Sequence, residues 1–135
     1  MDDLPKVIKI QAILLVITFL VSASLIYGHL KGWYELRYVE GISMEPTFFE
    51  GDLTINVPVT TEELELGTVV SFPTPGGDEA IHRIVGTTES GCFLTKGDNN
   101  PVNDLEPTCK VSGRVIARIP RVGNISKFLR DFFQS

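Results

Sequence analysis

Hydrophobic and polar positions divide the chain into an apolar N-terminal run, a middle part of short alternating stretches and an amphipathic end. Residues 12–28 read AILLVITFLVSASLIYG and carry no charge. This run predicts a transmembrane helix, which residues 7–10 extend if the Lys9 side chain reaches the interface. A cleavable signal peptide and a buried core helix are the alternatives. Against the first, residues 25–27 continue the apolar run beyond the small residues of a cleavage site.

Beyond this run the pattern is mainly β. Short stretches alternate between apolar and polar residues, and turn signals rich in Gly, Pro, Asp and Asn separate them. The segment 60–66 reads as a loop or a single helical turn, and Pro120 ends the last strand. The pattern predicts a small coiled or barrel-like antiparallel β domain. Its strands are expected at residues 36–39, 53–57, 68–72, 79–87, 92–95 and 110–119.

The C-terminal end has an apolar face opposite a charged one, which predicts a short amphipathic helix over residues 124–135. This helix would lie in the membrane interface, or it would dock onto the β domain or a partner; the pattern leaves these alternatives open. Asn124 begins a glycosylation sequon, which has meaning only in a compartment that glycosylates. The expected organisation is a membrane anchor at 1–34, a β-rich domain at 35–122 and an amphipathic tail at 123–135.

Composition narrows the classes of function. The net charge is −5 at pH 7, and no basic stripe indicates nucleic-acid binding. No Gly-rich phosphate loop or cysteine–histidine cluster is present, so no cofactor is expected. A zinc site is not expected either, because Cys92 and Cys109 would need further thiol or imidazole ligands, and only His82 remains in the predicted β domain.

The strongest candidate chemistry lies just after the apolar run, in the segment 41–47, GISMEPT. Gly41 allows the backbone to approach Ser43 closely, and Pro46 biases Glu45 toward an extended conformation. We therefore expect Ser43 on a stiff, partly extended segment rather than in a helix. Such a serine suits a nucleophile whose own N–H points at a developing oxyanion. From these residues alone, an ordinary structural serine fits equally well.

Two downstream segments bear on this choice: residues 80–85, AIHRIV, and residues 95–104, TKGDNNPVND. The order Ser-Met-x-Pro-Thr, His-Arg-Ile-Val and Lys-Gly-Asp-Asn-Asn followed by Asp resembles type I signal peptidases. It resembles most closely the archaeal and endoplasmic-reticulum branch, in which a histidine stands where the bacterial enzymes carry a lysine. The resemblance runs from the apolar segment to about residue 122.

The resemblance implies a serine nucleophile, Ser43, with His82 as general base and Asp104 as the carboxylate that orients it. A neutral imidazole suits the base because histidine ordinarily titrates near pH 6.5. Asp98 is expected to support the site, mainly by capping the 97–100 turn, and Arg83 to pair with a carboxylate of the same loop. The Ser43 N–H is expected in the oxyanion hole. Gly41 lacks the hydroxyl that some bacterial relatives place at this position, so the second donor stays unnamed.

The implied function is that of a membrane-bound serine endopeptidase that removes signal peptides from translocated preproteins. Ile42 and Met44 are expected to line shallow substrate pockets, which implies cleavage after small residues. The expected partners are preprotein signal peptides and membrane lipid, with a translocon or other signal peptidase subunits as further candidates. Charge counting gives no orientation for the single span, since both flanks carry similar positive charge. The resemblance places the β domain on the extracytoplasmic or endoplasmic-reticulum lumenal side.

The same resemblance bears on the two cysteines, Cys92 and Cys109, which flank the loop 96–104. Outside the cytosol, a disulfide between them would close this loop and stabilise the domain by about 2–4 kcal/mol. The alternative is two unpaired thiols on neighbouring strands.

Two other functions are compatible with parts of the sequence. A self-cleaving serine-lysine protease of the repressor type shares a Gly-x-Ser-Met segment, but the apolar anchor and the lack of a DNA-binding region argue against it. The other is a non-catalytic, membrane-anchored β module that binds signal peptides or scaffolds a translocation complex. The intact set of Ser43, His82 and Asp104 favours the enzyme.

Overall fold

A computed structural model of the chain describes residues 4–120 together with Phe132 and Phe133. The chain divides into two compact units, residues 1–33 and 34–135. The predicted amphipathic helix at 124–135 lies outside the described residues except for those two phenylalanines, and so does the Asn124 sequon.

The first unit is a single helix, α1, at Lys6–Leu30. At 1.5 Å per residue it is about 37 Å long, more than the hydrocarbon core of a bilayer. Its most apolar window has a mean hydropathy of 2.3, and none of that window is buried. By length and composition α1 could cross a membrane. It ends where Gly32 adopts a positive φ of 72° and the Lys31 N–H donates to the Tyr27 carbonyl.

The second unit is a six-stranded sheet in which every pair of neighbouring strands is antiparallel. The strand order is β1-β2-β6-β3-β4-β5, and a single 3-10 turn at Thr61–Glu63 follows β2. The prediction of a mainly β, antiparallel domain behind one N-terminal apolar helix is confirmed. The strands are β1 Glu35–Tyr38, β2 Leu53–Val57, β3 Val69–Pro73, β4 Glu79–Thr87, β5 Phe93–Lys96 and β6 Gly113–Ile119.

Both faces of this sheet bury apolar side chains. Successive residues of a strand point to opposite faces, so Val69 and Val70 of β3 enter different clusters. The first cluster contains Val39, Met44, Phe48 and Val69, with Ile81 and Val115 packed against it. The second contains Val70, Phe72, Ile84 and Phe93, with Leu64, Ala80 and Val111 packed against it.

The last strand is shorter than predicted. β6 begins at Gly113, whereas alternation alone suggested residue 110. Thr108 pairs with Phe93 beside β5, while Gly113 pairs with Ser71 of β3. The chain between them must cross from the edge of the sheet to its middle, so it cannot continue as one strand.

Unpaired edges of β1 and of the first half of β4 bound the site described below. β1 pairs only with β2. In β4, residues 79–82 pair with β3 alone, because the pairing with β5 starts at Arg83. The Arg37 Nη2 of β1 lies 3.8 Å from the Glu79 Oε1 of β4, so the open edges face each other across a short gap.

Candidate active site

Ser43 lies in a loop that follows β1, within a series of turns. The Glu45 N–H donates to the Ile42 carbonyl and the Phe48 N–H donates to the Met44 carbonyl. As expected, Ser43 does not lie in a helix, but the segment forms turns where a partly extended conformation was predicted. The turns have a packing reason, because they place the side chains of Met44 and Phe48 in the first cluster, where both are buried.

His82 enters from the unpaired half of β4 and joins the two other residues of the predicted set. Its Nε2 lies 3.1 Å from the Ser43 Oγ, and its Nδ1 lies 2.6 Å from the Asp104 Oδ2. The imidazole is mostly buried, and the Phe72 ring meets it edge-on with a centroid distance of 6.0 Å. In the tautomer whose Nδ1–H donates to Asp104, the Nε2 is able to accept the Ser43 hydroxyl proton.

Asp104 is itself held by a buried residue of β5, Thr95. The Thr95 hydroxyl donates to the Asp104 Oδ2 at 2.6 Å, and the Asp104 N–H donates to the Thr95 carbonyl at 2.8 Å. Sequence reasoning missed Thr95, since a threonine is an ordinary strand residue. The sequence offered one signal for Thr95, since it begins the segment 95–104, which contains the candidate acid Asp104.

The 97–100 turn forms hydrogen bonds with the backbone of Ser43 and of the residue before it. The Asn99 N–H donates to the Ser43 carbonyl at 2.8 Å, and the Asn99 side-chain amide donates to the Ile42 carbonyl at 3.1 Å. A Cβ at Gly97 would lie 2.6 Å from the Ser43 carbonyl oxygen, so any side chain there forces the two segments apart. This close approach explains the glycine of the Gly-Asp-Asn-Asn run.

Asp98 does not cap this turn, contrary to expectation. Its carboxylate accepts hydrogen bonds from the Arg83 Nε and Nη2 at 2.9 and 2.7 Å and from the Thr47 hydroxyl at 2.5 Å. The hydrogen bonds from Arg83 lower the pKa of Asp98, and Thr47 lowers it further, while burial acts in the opposite direction. The same pairing raises the pKa of Arg83. The Asp98 carboxylate thus joins β4 to Thr47, the last residue of the segment 41–47. We call this segment the serine loop.

A second arginine holds the serine loop from β6. The Arg118 Nη1 donates to the Thr47 carbonyl at 2.9 Å and to the Asp52 Oδ2 at 3.0 Å. Asp52 is buried and also accepts the Phe49 N–H at 2.9 Å.

A cleft of about 500 Å³ opens beside Ser43 and His82, between the unpaired edges of β1 and β4. Met44 lines it, whereas Ile42 is exposed and is not among its lining residues. The lining is Arg37, Tyr38, Val39, Glu40, Ser43, Met44, Asp78, Glu79, Ala80, Ile81 and His82.

Cys92 and Cys109 form a disulfide in this structure. The bond lies next to the pairing of Phe93 with Thr108, and the two together close the loop that carries Asp98 and Asp104. Among the described residues, no group of three or more His, Cys, Asp or Glu side chains could hold a metal ion.

The contact at Gly97 predicts that Gly97→Ala slows any reaction at Ser43 by roughly tenfold or more, because a 1 Å displacement of a reacting group can cost still more. The rate at which a serine-directed fluorophosphonate labels Ser43 measures this. Gly76→Ala is the matched control, since a Cβ there meets nothing closer than 3.8 Å. Equal labelling rates for the two variants would contradict the prediction.

The pairing of Asp98 with Arg83 predicts a pH-dependent contribution to stability. Because the pKa of Asp98 is lowered in the folded state, this contribution is complete above about pH 4 and is lost as the pH falls through the folded-state value. Asp98→Asn should cost about 1–3 kcal/mol of unfolding free energy at pH 7, and the gap to wild type should close at lower pH.

Denaturant unfolding at pH 7 and near pH 3, in detergent, tests this expectation. Glu106→Gln, at an exposed position, is the control and should leave both values nearly unchanged. A loss of stability for Asp98→Asn that is the same at both pH values would show that ionisation of this carboxylate is not the cause.

No protein-family model matches the chain. Among curated proteins it is similar to the signal peptidase complex catalytic subunit SEC11C of Homo sapiens, with 30% identity over 155 residues, 96% of this chain and 79% of that protein. SEC11C of Mus musculus is 33% identical over 105 residues, 67% of this chain and 54% of that protein. SEC11 of Pyricularia oryzae is 35% identical over 106 residues, 66% of this chain and 60% of that protein.

The match to the human protein covers nearly the whole chain, from the apolar helix through the sheet, and it agrees with the resemblance of the three ordered motifs. The chain therefore belongs to the family of signal peptidase complex catalytic subunits.

Proposed function

We propose that this chain is a membrane-anchored serine endopeptidase that removes signal peptides from translocated preproteins, with Ser43, His82 and Asp104 as its catalytic residues. The observation that carries the proposal is the position of one imidazole within hydrogen-bond distance of both other groups, 3.1 Å from the Ser43 Oγ and 2.6 Å from the Asp104 Oδ2. Membership of the signal peptidase family supports the same reaction.

In the first half of the reaction, the Ser43 Oγ attacks the carbonyl carbon of the scissile peptide bond, and the His82 Nε2 takes the hydroxyl proton. Asp104 accepts the Nδ1–H and stabilises the imidazolium. The imidazolium then gives its Nε2 proton to the nitrogen of the leaving amine. The C–N bond breaks, the mature protein leaves, and the signal peptide remains attached to Ser43 as an ester.

In the second half, a water molecule replaces the amine. The His82 Nε2 accepts a proton from this water as the oxygen attacks the ester carbonyl, and it returns the proton to the Ser43 Oγ when the C–O bond breaks. The signal peptide is released with a new carboxylate. The Ser43 N–H serves as one oxyanion donor, since within residues 4–120 it donates no other hydrogen bond.

The substrate enters the cleft as an extended strand between the open edges of β1 and β4, whose backbone groups are free to pair. Next to Ser43, the cleft is lined by Val39, Met44 and Ile81. A shallow apolar surface of this kind accepts small side chains and excludes large ones by steric clash. Cleavage therefore follows small residues at the first and third positions before the bond.

Helix α1 anchors the enzyme in the membrane, and residues 35–122 act on the extracytoplasmic or lumenal side. The disulfide between Cys92 and Cys109 supports this orientation, because disulfides persist in oxidising compartments. Anchoring raises the effective concentration of the site near a membrane-embedded signal peptide. The named relatives are subunits of a complex, so we include other subunits of such a complex among the partners of this chain.

Cleavage of a preprotein in liposomes by purified wild type, Ser43→Ala and His82→Ala tests the reaction. Wild type should release a mature protein whose N-terminus follows a small residue, and both variants should lose activity by at least roughly 10³-fold while remaining folded. Ser90→Ala, an exposed turn serine, is the matched control. Cleavage retained by Ser43→Ala would overturn the nucleophile. A fluorophosphonate that labels a site other than Ser43 would do the same.

The two loop carboxylates should differ in effect. Asp104→Asn should lower kcat by roughly 10³-fold or more, because an amide can no longer fix the imidazole tautomer. Asp98→Asn should lower it far less, since Asp98 contacts Arg83 and Thr47 rather than the imidazole. Steady-state kinetics on one preprotein compares them. The opposite order would exchange their roles.

A further inference from the structure

The cleft changes character along its length. Its apolar lining includes Val39, the residue after β1, and Ile81 of β4. Two residues earlier on each strand, the corresponding positions are Arg37 and Glu79. Both also line the cleft, and their side chains remain partly accessible, at 23% and 29%. The cleft thus has an apolar part near Ser43 and a charged part farther away. We call Arg37 and Glu79 the charged end of the cleft.

Hydrogen bonds hold the side chains of the charged end in place, but one Arg37 donor lacks a partner within the described part of the chain. The Arg37 Nη2 donates to the Glu35 Oε2 at 2.7 Å and lies 3.8 Å from the Glu79 Oε1. The Ser112 hydroxyl donates to the same Glu79 oxygen at 2.8 Å. The Arg37 Nε is buried and has no hydrogen-bond partner among the described residues.

We propose that Arg37 and Glu79 determine specificity at the fifth residue before the cleaved bond, where they select a polar side chain over a large apolar one. The inference rests on the proposed function and on the substrate strand described above. The inference adds a second requirement for the substrate, besides small residues next to the cleaved bond. The cleavage region of a substrate must already be polar five residues upstream, so the enzyme measures where the apolar part of a signal peptide ends.

The position follows from strand geometry. β1 and β4 run in the same direction, since three strands lie between them and every neighbouring pair is antiparallel. Side chains on the same face of a strand are two residues, or about 6.6–7 Å, apart. We place the substrate strand between them in the same direction as β1 and β4, with its N-terminal part toward the charged end, and it then has the same spacing. When its third residue before the bond lies over Val39 and Ile81, its fifth lies over Arg37 and Glu79, and its fourth points to the opposite face.

The preference follows from desolvation. A leucine over the charged end removes water from Arg37 and Glu79 and returns no hydrogen bond, which disfavours the complex. A glutamine of similar size brings a carbonyl oxygen for the Arg37 N–H groups and an amide for the Glu79 carboxylate. Glutamine and leucine fill nearly the same volume, so a difference between their cleavage rates reports polarity rather than size.

The test uses preproteins that differ only at the fifth residue before the bond, glutamine or leucine, with the full-length enzyme in liposomes. Wild type should show a kcat/KM at least roughly tenfold higher for glutamine. The double variant Arg37→Met, Glu79→Met should reduce this ratio to about one or invert it. Arg114→Leu, an exposed arginine of β6 outside the cleft, should keep the wild-type ratio. Leucine placed at the fourth position should have no effect on wild type.

The ratio is measured within one preparation, so partial unfolding of a variant cancels. Equal rates on the two preproteins by wild type would overturn this inference and leave the proposed function intact. An unchanged ratio in the double variant would overturn it as well. If wild type cuts neither preprotein, the proposed function fails and the inference fails with it.

Discussion

The site depends on the hydrogen bond between the Asn99 N–H and the Ser43 carbonyl, 2.8 Å long. Ser43 belongs to no strand or helix, so regular secondary structure does not fix its position. The 97–100 turn supplies that constraint from outside, and it can approach closely only because Gly97 has no side chain. Since Asp104 follows a few residues later, one loop positions both the serine backbone and the carboxylate that meets His82.

The serine loop is also fixed at its other end, at Thr47, where two arginine–carboxylate pairs meet. The Thr47 hydroxyl donates to Asp98, which is bound by Arg83, and the Thr47 carbonyl accepts a hydrogen bond from Arg118, which is bound to Asp52. β4 and β6 therefore hold the same residue from two sides. This accounts for the threonine that closes the Ser-Met-Glu-Pro-Thr run. Ser43 therefore lies between two anchored points, which limits its conformational freedom, as the proposed nucleophile requires.

The elements that depend on local pattern could be predicted from the sequence, and those that depend on contacts between distant residues could not. Alternation and turn residues predicted the strands, and three short motifs predicted a cluster around His82. The turns around Ser43 were not predicted, because they accompany the burial of Met44 and Phe48 against residues that are distant in sequence. The pairing of Arg83 with a loop carboxylate was expected and is found at Asp98, but the hydrogen bond from Thr47 to Asp98 depends on tertiary proximity, which a turn motif does not encode. The catalytic roles themselves remain predictions from chemistry.

β4 explains why Ser43, His82 and the cleft lie together. From Arg83 onward the strand pairs with β5, and at Arg83 it pairs with β3 as well, while residues 79–82 have β3 on one side only. The paired part makes the strand rigid, and the open part leaves room for another chain beside His82. A base at a strand edge is at once held by the sheet and adjacent to any peptide that completes the sheet. Glu79 lies on that same open edge, three residues before His82. If a peptide pairs along this edge as proposed, it lies beside Glu79 and the imidazole at the same time, so one strand carries both the acidic residue of the charged end and the candidate base.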